Sequence, residues 1–191
     1  MSNKVIVIFV EGQTEYVFYS KICSHIQNID KKTNKVIIKN LKGIGKFEYK
    51  AYSILKNEII PKHKKKEIIV FCCYDSDAFN IPFQAKPPVD WNKVENKIKT
   101  LNISTIHHIK ADESIEDWFL LDIDGLCNFL KIKRPKKVKG KNGYYKIKEL
   151  FRTANKIYQK GFNASNFVDN LDYDKLLDSL KTKLSELRSV L

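Results

Sequence analysis

The chain has 191 residues and a formal net charge of +13, with 35 lysines and arginines against 22 aspartates and glutamates. That length supports a real core in one domain, and no apolar run approaches membrane-spanning length, so a membrane protein is excluded and a soluble, cytoplasmic one expected. Cys23, Cys72, Cys73 and Cys127 show no CxxC spacing, which leaves buried reduced thiols as the expectation and disfavours zinc.

Val5 to Gly12, VIVIFVEG, and Ile68 to Asp77, IIVFCCYDSD, are short β-branched runs that end abruptly in acids. Buried parallel strands read this way and deliver carboxylates to the carboxyl edge of an open sheet. The first would deliver Glu11, the second Asp75 and Asp77. Between them, Gln13 to Gln27 carries Val17, Phe18, Ile22 and Ile26 at helical spacing, with Gly12 at the turn and Thr14 as the candidate N-cap. Val36 to Lys39 reads as a second strand. The turn Lys42-Gly43-Ile44-Gly45-Lys46 lacks the GK[ST] ending of a P-loop, so it reads as a plain turn or a backbone-contacting loop. Phe47 to Ile60 reads as a crossover helix stopped by Pro61, and His63 to Lys66 as a solvated connection.

Asp77 to Asp90, with Pro82, Pro87 and Pro88, suits a rim or lid that meets substrate. Trp91 to Leu101 reads as helix and Ile103 to Ile109 as a fourth strand, with His107 and His108 ending it near the proposed edge. The alternation predicts a three-layer, mostly parallel four-stranded sheet flanked by helices. Beyond it, Asp112, Glu113, Glu116 and Asp117 crowd six positions. Some can complement a helix macrodipole, while Glu116, ahead of Glu113, can reach the same sheet edge as Glu11 and Asp75.

From Lys131 to Lys160, twelve lysines and arginines face the single acid Glu149, with Tyr144, Tyr145, Phe151 and Tyr158 interleaved. This is either a backbone groove with stacking rings or a basic loop followed by an inward-packed helix. Lys136, Lys137, Lys139, Lys141 and Arg152 are the candidate phosphate contacts. In the tail, Asp172 or Asp174 would cap the last helix, and leucines to Leu191 would pack on the sheet or form a dimer contact.

Carboxylates gathered on one edge repel, and a hard cation such as Mg²⁺ or Mn²⁺ relieves them. Such a cluster can hydrolyse phosphodiesters by activating water and stabilising charge on the phosphoryl group. VIVIFVEGQTE followed by IIVFCCYDSD resembles the Toprim domain shared by topoisomerases, bacterial primases and the OLD and RloB-like nucleases, and Ser114 to Leu120, SIEDWFL, is similar to the FExW-type helix start of RloB-like defence nucleases. The resemblance covers about the first two thirds of the chain and implies a Toprim-like fold. It implies a metal-dependent nuclease, active in anti-phage or mobile-element defence. Glu11 would be general acid/base or bridging ligand, Asp75 and Asp77 metal ligands, and Glu116 a further ligand or a water-orienting group, with Glu113 as an additional ligand candidate. No ATPase module, primase zinc domain or topoisomerase tyrosine domain accompanies the motifs, so an ATPase partner in trans or a homodimer remains open. The expected layout is a catalytic domain over 1–130 and a basic loop with helical extension over 131–191 on the same domain. The rival is a noncatalytic nucleic-acid-binding or regulatory Toprim subunit, and the third reading has the carboxylates only capping helices.

Overall fold

The computed structural model describes residues 3–80, 87–161 and 164–191. Four strands, β1 (Lys4–Val10), β2 (Lys35–Asn40), β3 (Glu67–Asp75) and β4 (Ile106–Ala111), form one sheet in the order β2-β1-β3-β4, every pair parallel. The three-layer α/β architecture expected from the strand and helix alternation is the one found. Central β1 explains why its sequence carries no polar alternation: Val5 to Val10 are all fully buried, because a parallel strand with helices on both faces has no solvent side.

The two faces of β1 seed two cores. Val5, Val7 and Phe9 pack with Leu55 and Ile59 of α2 (residues 44–62) and with Val94 and Ile98 of α3 (Trp91–Lys99). Ile6, Ile8 and Val10 pack with Phe18 and Ile22 of α1 (Gln13–Asp30) and with the C-terminal helices. Those helices are α4 (Ile115–Phe119), α5 (Ile123–Leu130), α6 (Gly143–Thr153), α7 (Ala164–Val168), α8 (Tyr173–Ser179) and α9 (Ser185–Val190). Phe151, Phe167, Leu176, Leu187 and Leu191 all share the core of β1. The basic stretch and the tail are therefore one side of the same hydrophobic layer. At roughly 1.5–3 kcal/mol for each large apolar side chain buried, these contacts are a major part of what holds the sheet. All four cysteines are buried and free. No helix among the described residues is long and apolar enough to cross a membrane.

Several local expectations shift. Pro61 lies within the closing 3₁₀ turn Ile60–Lys62, one residue inside the helix end rather than beyond it. The tail breaks into short helices, with Asp172 capping α8 through the Lys175 N–H. β4 starts later than expected and runs to Ala111, so His107 and His108 sit in its first half and away from the carboxyl edge. His107 stacks on Phe71 at 4.8 Å, while His108 turns to the opposite face and meets Glu95 at 3.2 Å. Pro82 lies outside the described residues.

Candidate active site

The chain leaves β1 toward β2 on one side and returns to β3 on the other. Where strand order reverses, the flanking connections diverge and open a crevice beyond the carboxyl ends of the two strands, the place where open α/β sheets bind ligands. Glu11 follows β1 and Asp75 closes β3, so both stand at that crevice.

The two strand ends are tied together. Glu11 Oε1 accepts the Asp75 backbone N–H at 2.8 Å. Asp75, only 3% exposed, accepts the Ile115 N–H on Oδ1 at 2.9 Å and the Lys160 ammonium on Oδ2 at 2.8 Å. That ammonium also stands 3.5 Å from Glu116 Oε2 and 3.7 Å from Glu15 Oε1, both on buried carboxylates. Tyr158 donates its hydroxyl to Glu116 Oε1 at 2.9 Å. Glu15 Oε2 and Glu116 Oε2 are buried with no hydrogen-bond partner among the described residues.

Local sequence sets this up. Glu15 lies in the first turn of α1, whose start follows the end of β1 after the extended Gly12, so its carboxylate stays near the strand end. A Cβ at Gly12 would stand 2.9 Å from Glu15 Oε2; the glycine leaves room for a carboxylate, its own backbone being extended at φ −144°. Thr14 does not cap α1. Its hydroxyl accepts the Gly161 N–H at 2.9 Å and so fixes the segment carrying Tyr158 and Lys160 against the site. Across the crevice, Lys42 (φ 64°) and Gly43 (φ 123°) turn in the left-handed region, and the Gly43 N–H bonds Glu11 O at 2.7 Å. The glycine turn thus walls a cavity of about 390 Å³ that reaches Glu11, Glu15 and Lys160.

One ammonium faces three buried carboxylates with a fourth at the mouth. Burial pushes Glu11 up to about 7, against the pull of the Asp75 N–H, with Glu15 and Asp77 adding repulsion. Burial likewise raises Asp75 and Glu15; Lys160 opposes this in both without reversing it. For Lys160, burial works against the charge, but attraction to Asp75, Glu116 and Glu15 prevails and raises its pKa. Both partners of the Asp75–Lys160 pair moving upward means the ion pair holds while the set still carries unbalanced negative charge. Such a set takes up a proton or a cation.

The acidic run past β4 divides by role. Glu116 joins the cluster. Asp117 accepts from the Ser114 N–H and hydroxyl at 3.3 and 3.2 Å, and Asp112 pairs with Lys183 at 3.0 Å. Glu113 is exposed at φ 61°; its backbone N–H reaches Ser76 Oγ at 2.8 Å and its carbonyl accepts the Asp77 N–H at 3.0 Å. Asp77 and Glu113 therefore bind the β3 and β4 loops together by their backbones and are both exposed; Asp77 is near enough to Glu11 to repel its charge, while Glu113 is not brought into the cluster. Lys136, Lys137, Lys139 and Lys141 are exposed ahead of α6, and Arg152 is held by Glu149 at 2.8 and 2.9 Å; none of the five belongs to the cluster.

The sequence points to neither Glu15 nor Lys160, and it offers Thr14 as a helix cap and Tyr158 as a ring of the basic stretch rather than as parts of this cluster. The spacing Glu11-Gly12-x-x-Glu15 is a usable signal for the second glutamate. Lys160 has none, being one cation among twelve in its stretch.

Among the described residues, no group of three His, Cys, Asp or Glu side chains is disposed to hold a metal ion as it stands. The place between Asp75, Glu15 and Glu116 is held by the Lys160 ammonium. The two buried oxygens that accept no hydrogen bond among the described residues, and the excess of carboxylates over ammonium, nonetheless fit a hard, oxygen-seeking cation beside it.

No protein-family model matches the chain, and no curated protein does. Among solved structures it is similar to the C-terminal region of the Burkholderia pseudomallei OLD protein, at 14% identity over 98% of this chain and 99% of that one, with a TM-score of 0.47.

Proposed function

We propose that the chain is a metal-dependent nuclease that hydrolyses phosphodiester bonds of DNA or RNA. The observation that carries this reading is the buried cluster of Glu15, Asp75 and Glu116 at the sheet's switch point, three carboxylates around one ammonium, with two of their oxygens accepting no hydrogen bond among the described residues. Asp75, Glu116 and Glu15 would hold Mg²⁺ or Mn²⁺, with Glu11 and Asp77 at the mouth and Glu113 as a rim ligand. The ion would supply Lewis acidity toward a phosphoryl oxygen and a more acidic attacking water.

The chain's own groups do the rest. Glu11, raised to about 7, is poised to take a proton from water near neutral pH. The Lys160 ammonium stabilises charge growing on the phosphoryl oxygens. Lys42 and the Gly43 turn line the approach, and the exposed lysines ahead of α6 draw the polyanion in. The Toprim resemblance of the two strand-end motifs supports the same chemistry and suggests defence against phage or mobile elements as its setting.

The test is cleavage of single-stranded DNA, duplex DNA and total tRNA by wild type, Asp75→Ala and Asp77→Asn, in Mg²⁺ and in EDTA. Asp77 is exposed, so its variant separates chemistry from folding. Cleavage by wild type only, abolished by EDTA, is expected. Equal activity in all three proteins refutes the assignment.

One observation favours a second reading, a noncatalytic nucleic-acid-binding or regulatory subunit that works with an ATPase or another partner. Lys160 already fills the centre of the carboxylates. Salt-sensitive binding without cleavage, unchanged by Mg²⁺, would support it.

A further inference from the structure

A second pocket, of about 330 Å³, opens on the other face of β3 from Asp75. Strand alternation separates the two: Asp75 faces the crevice and the C-terminal helices, while Tyr74 faces α2 and α3. Tyr74, Phe79 and Trp91 form its walls, and Ser76, Asn80 and Lys110 complete it. The walls are held in place. Trp91 lies 4.4 Å from Tyr74 between ring centroids, with Phe47 at 5.1 Å and His108 at 4.7 Å edge-on, and Phe79 leans on Tyr74 at 5.7 Å. His108 is in turn held by Glu95.

We propose that this pocket binds one unpaired nucleobase of the strand that lies across the carboxylate cluster, an inference that rests on the nucleic-acid-cleaving reading above. Three features select a base over other ligands. Rigid aromatic rings offer faces to stack on, and every nucleobase has a π-face. Ser76 keeps its hydroxyl proton for a ligand, because among the described residues its oxygen is used only as an acceptor for the Glu113 N–H, and the Asn80 amide offers a donor and an acceptor to a base edge. Lys110, exposed and level with Tyr74 in the strand register, places a cation at the pocket for the phosphate of the same nucleotide. Tyr74 and Ser76 alternate with Asp75 and Asp77 along the chain, so the pocket and the cluster both open at the carboxyl end of β3, where one strand can span them. A duplex keeps its bases stacked inside, so the pocket predicts preference for single strands, loops or frayed ends.

The test uses the full chain in EDTA, where cleavage plays no part. Trp91 is one of two tryptophans, and the other, Trp118, is buried. A base stacking in the pocket quenches Trp91 emission. A short single-stranded oligonucleotide is titrated in, followed by the same oligonucleotide with one abasic residue walked along its length. The expected result is quenching that disappears at one abasic position, and binding weakened roughly 10-fold by Phe79→Ala. The abasic series uses unaltered protein, so it stands even if a variant folds poorly. Quenching indifferent to every abasic position overturns the proposal. Equal quenching by a nucleoside monophosphate at the same concentration also overturns it, in favour of a free-nucleotide site. Abasic-sensitive quenching in a protein that never cleaves would sink the nuclease and keep the pocket; cleavage without quenching would do the reverse.

Discussion

At the scale of single residues, the site turns on Lys160, a cation placed where carboxylates converge. Replacing it with methionine keeps the stem and removes the charge, leaving Asp75, Glu15 and Glu116 mutually unopposed. Lys160→Met is expected to abolish cleavage and to lower the melting temperature in EDTA at pH 8 much more than at pH 5, where Asp75 and Glu15, raised by burial, take up protons more readily; equal losses at both pH values would contradict the electrostatic account. A related pH dependence belongs to the metal-free wild type. Burial raises the folded-state pKa of Glu11 from 4.5 to about 7 and raises that of Asp75 as well, so the folded state holds protons more tightly than the unfolded chain. The stability they contribute is whole below their ordinary values and, for Glu11, is lost as pH rises through about 7. Thermal melts in EDTA across that range should show the decline, and Mg²⁺ should flatten it. Glu11, Asp75, Asp77 and Glu116 were legible in the sequence because each ends an apolar strand or opens a helix. Glu15 was hidden in the pattern of an amphipathic helix. Lys160 was hidden by its neighbours, since proximity across 85 positions is a property of the folded chain alone.

Among elements, the close seat of α6 on α4 positions the segment that carries Tyr158 and Lys160. Gly143, at the start of α6, lies so near the start of α4 that a Cβ there would come within 2.5 Å of the Asp117 backbone nitrogen. Backbone cannot yield as a side-chain tip does. Gly143→Ala is therefore expected to cost about 1–3 kcal/mol in denaturant unfolding and to reduce cleavage through displacement of α4 and Glu116; an unchanged midpoint would show that α6 can shift freely. Strands β1 and β3 were readable as buried runs because helices cover both of their faces. The edge strand β4 was less so. Its polar residues and its two histidines alternate across a half-covered edge, and nothing local marks whether it stops at Ile109 or at Ala111. The short tail helices were obscured for a similar reason, since the leucine spacing that suggests one long helix also fits three short ones around a curved core.

For the whole molecule, the sheet and the C-terminal helices share one core, and the site draws on both. A fragment of residues 1–130 would strip α7 and α8 from α1 and Phe167 from Phe119, exposing that apolar face to water, and would lack Lys160. It is expected to aggregate or to lose near-ultraviolet circular dichroism; a well-folded, soluble fragment would show that the extension is dispensable. The net charge of +13 predicts affinity for single-stranded nucleic acid that falls steeply as salt rises, measured by anisotropy from low to physiological ionic strength, and a flat response would assign the charge to composition alone. The four cysteines, each at most 2% exposed, have a practical bearing on such measurements. In native buffer a thiol reagent should find nothing to react with until denaturant is added, because burial raises the thiol pKa of each and keeps solvent from it. A single cysteine introduced on the exposed basic stretch, at Lys136 for example, would then be the one reactive handle on the surface, and a dye attached there would report the arrival of a strand without removal of any native thiol.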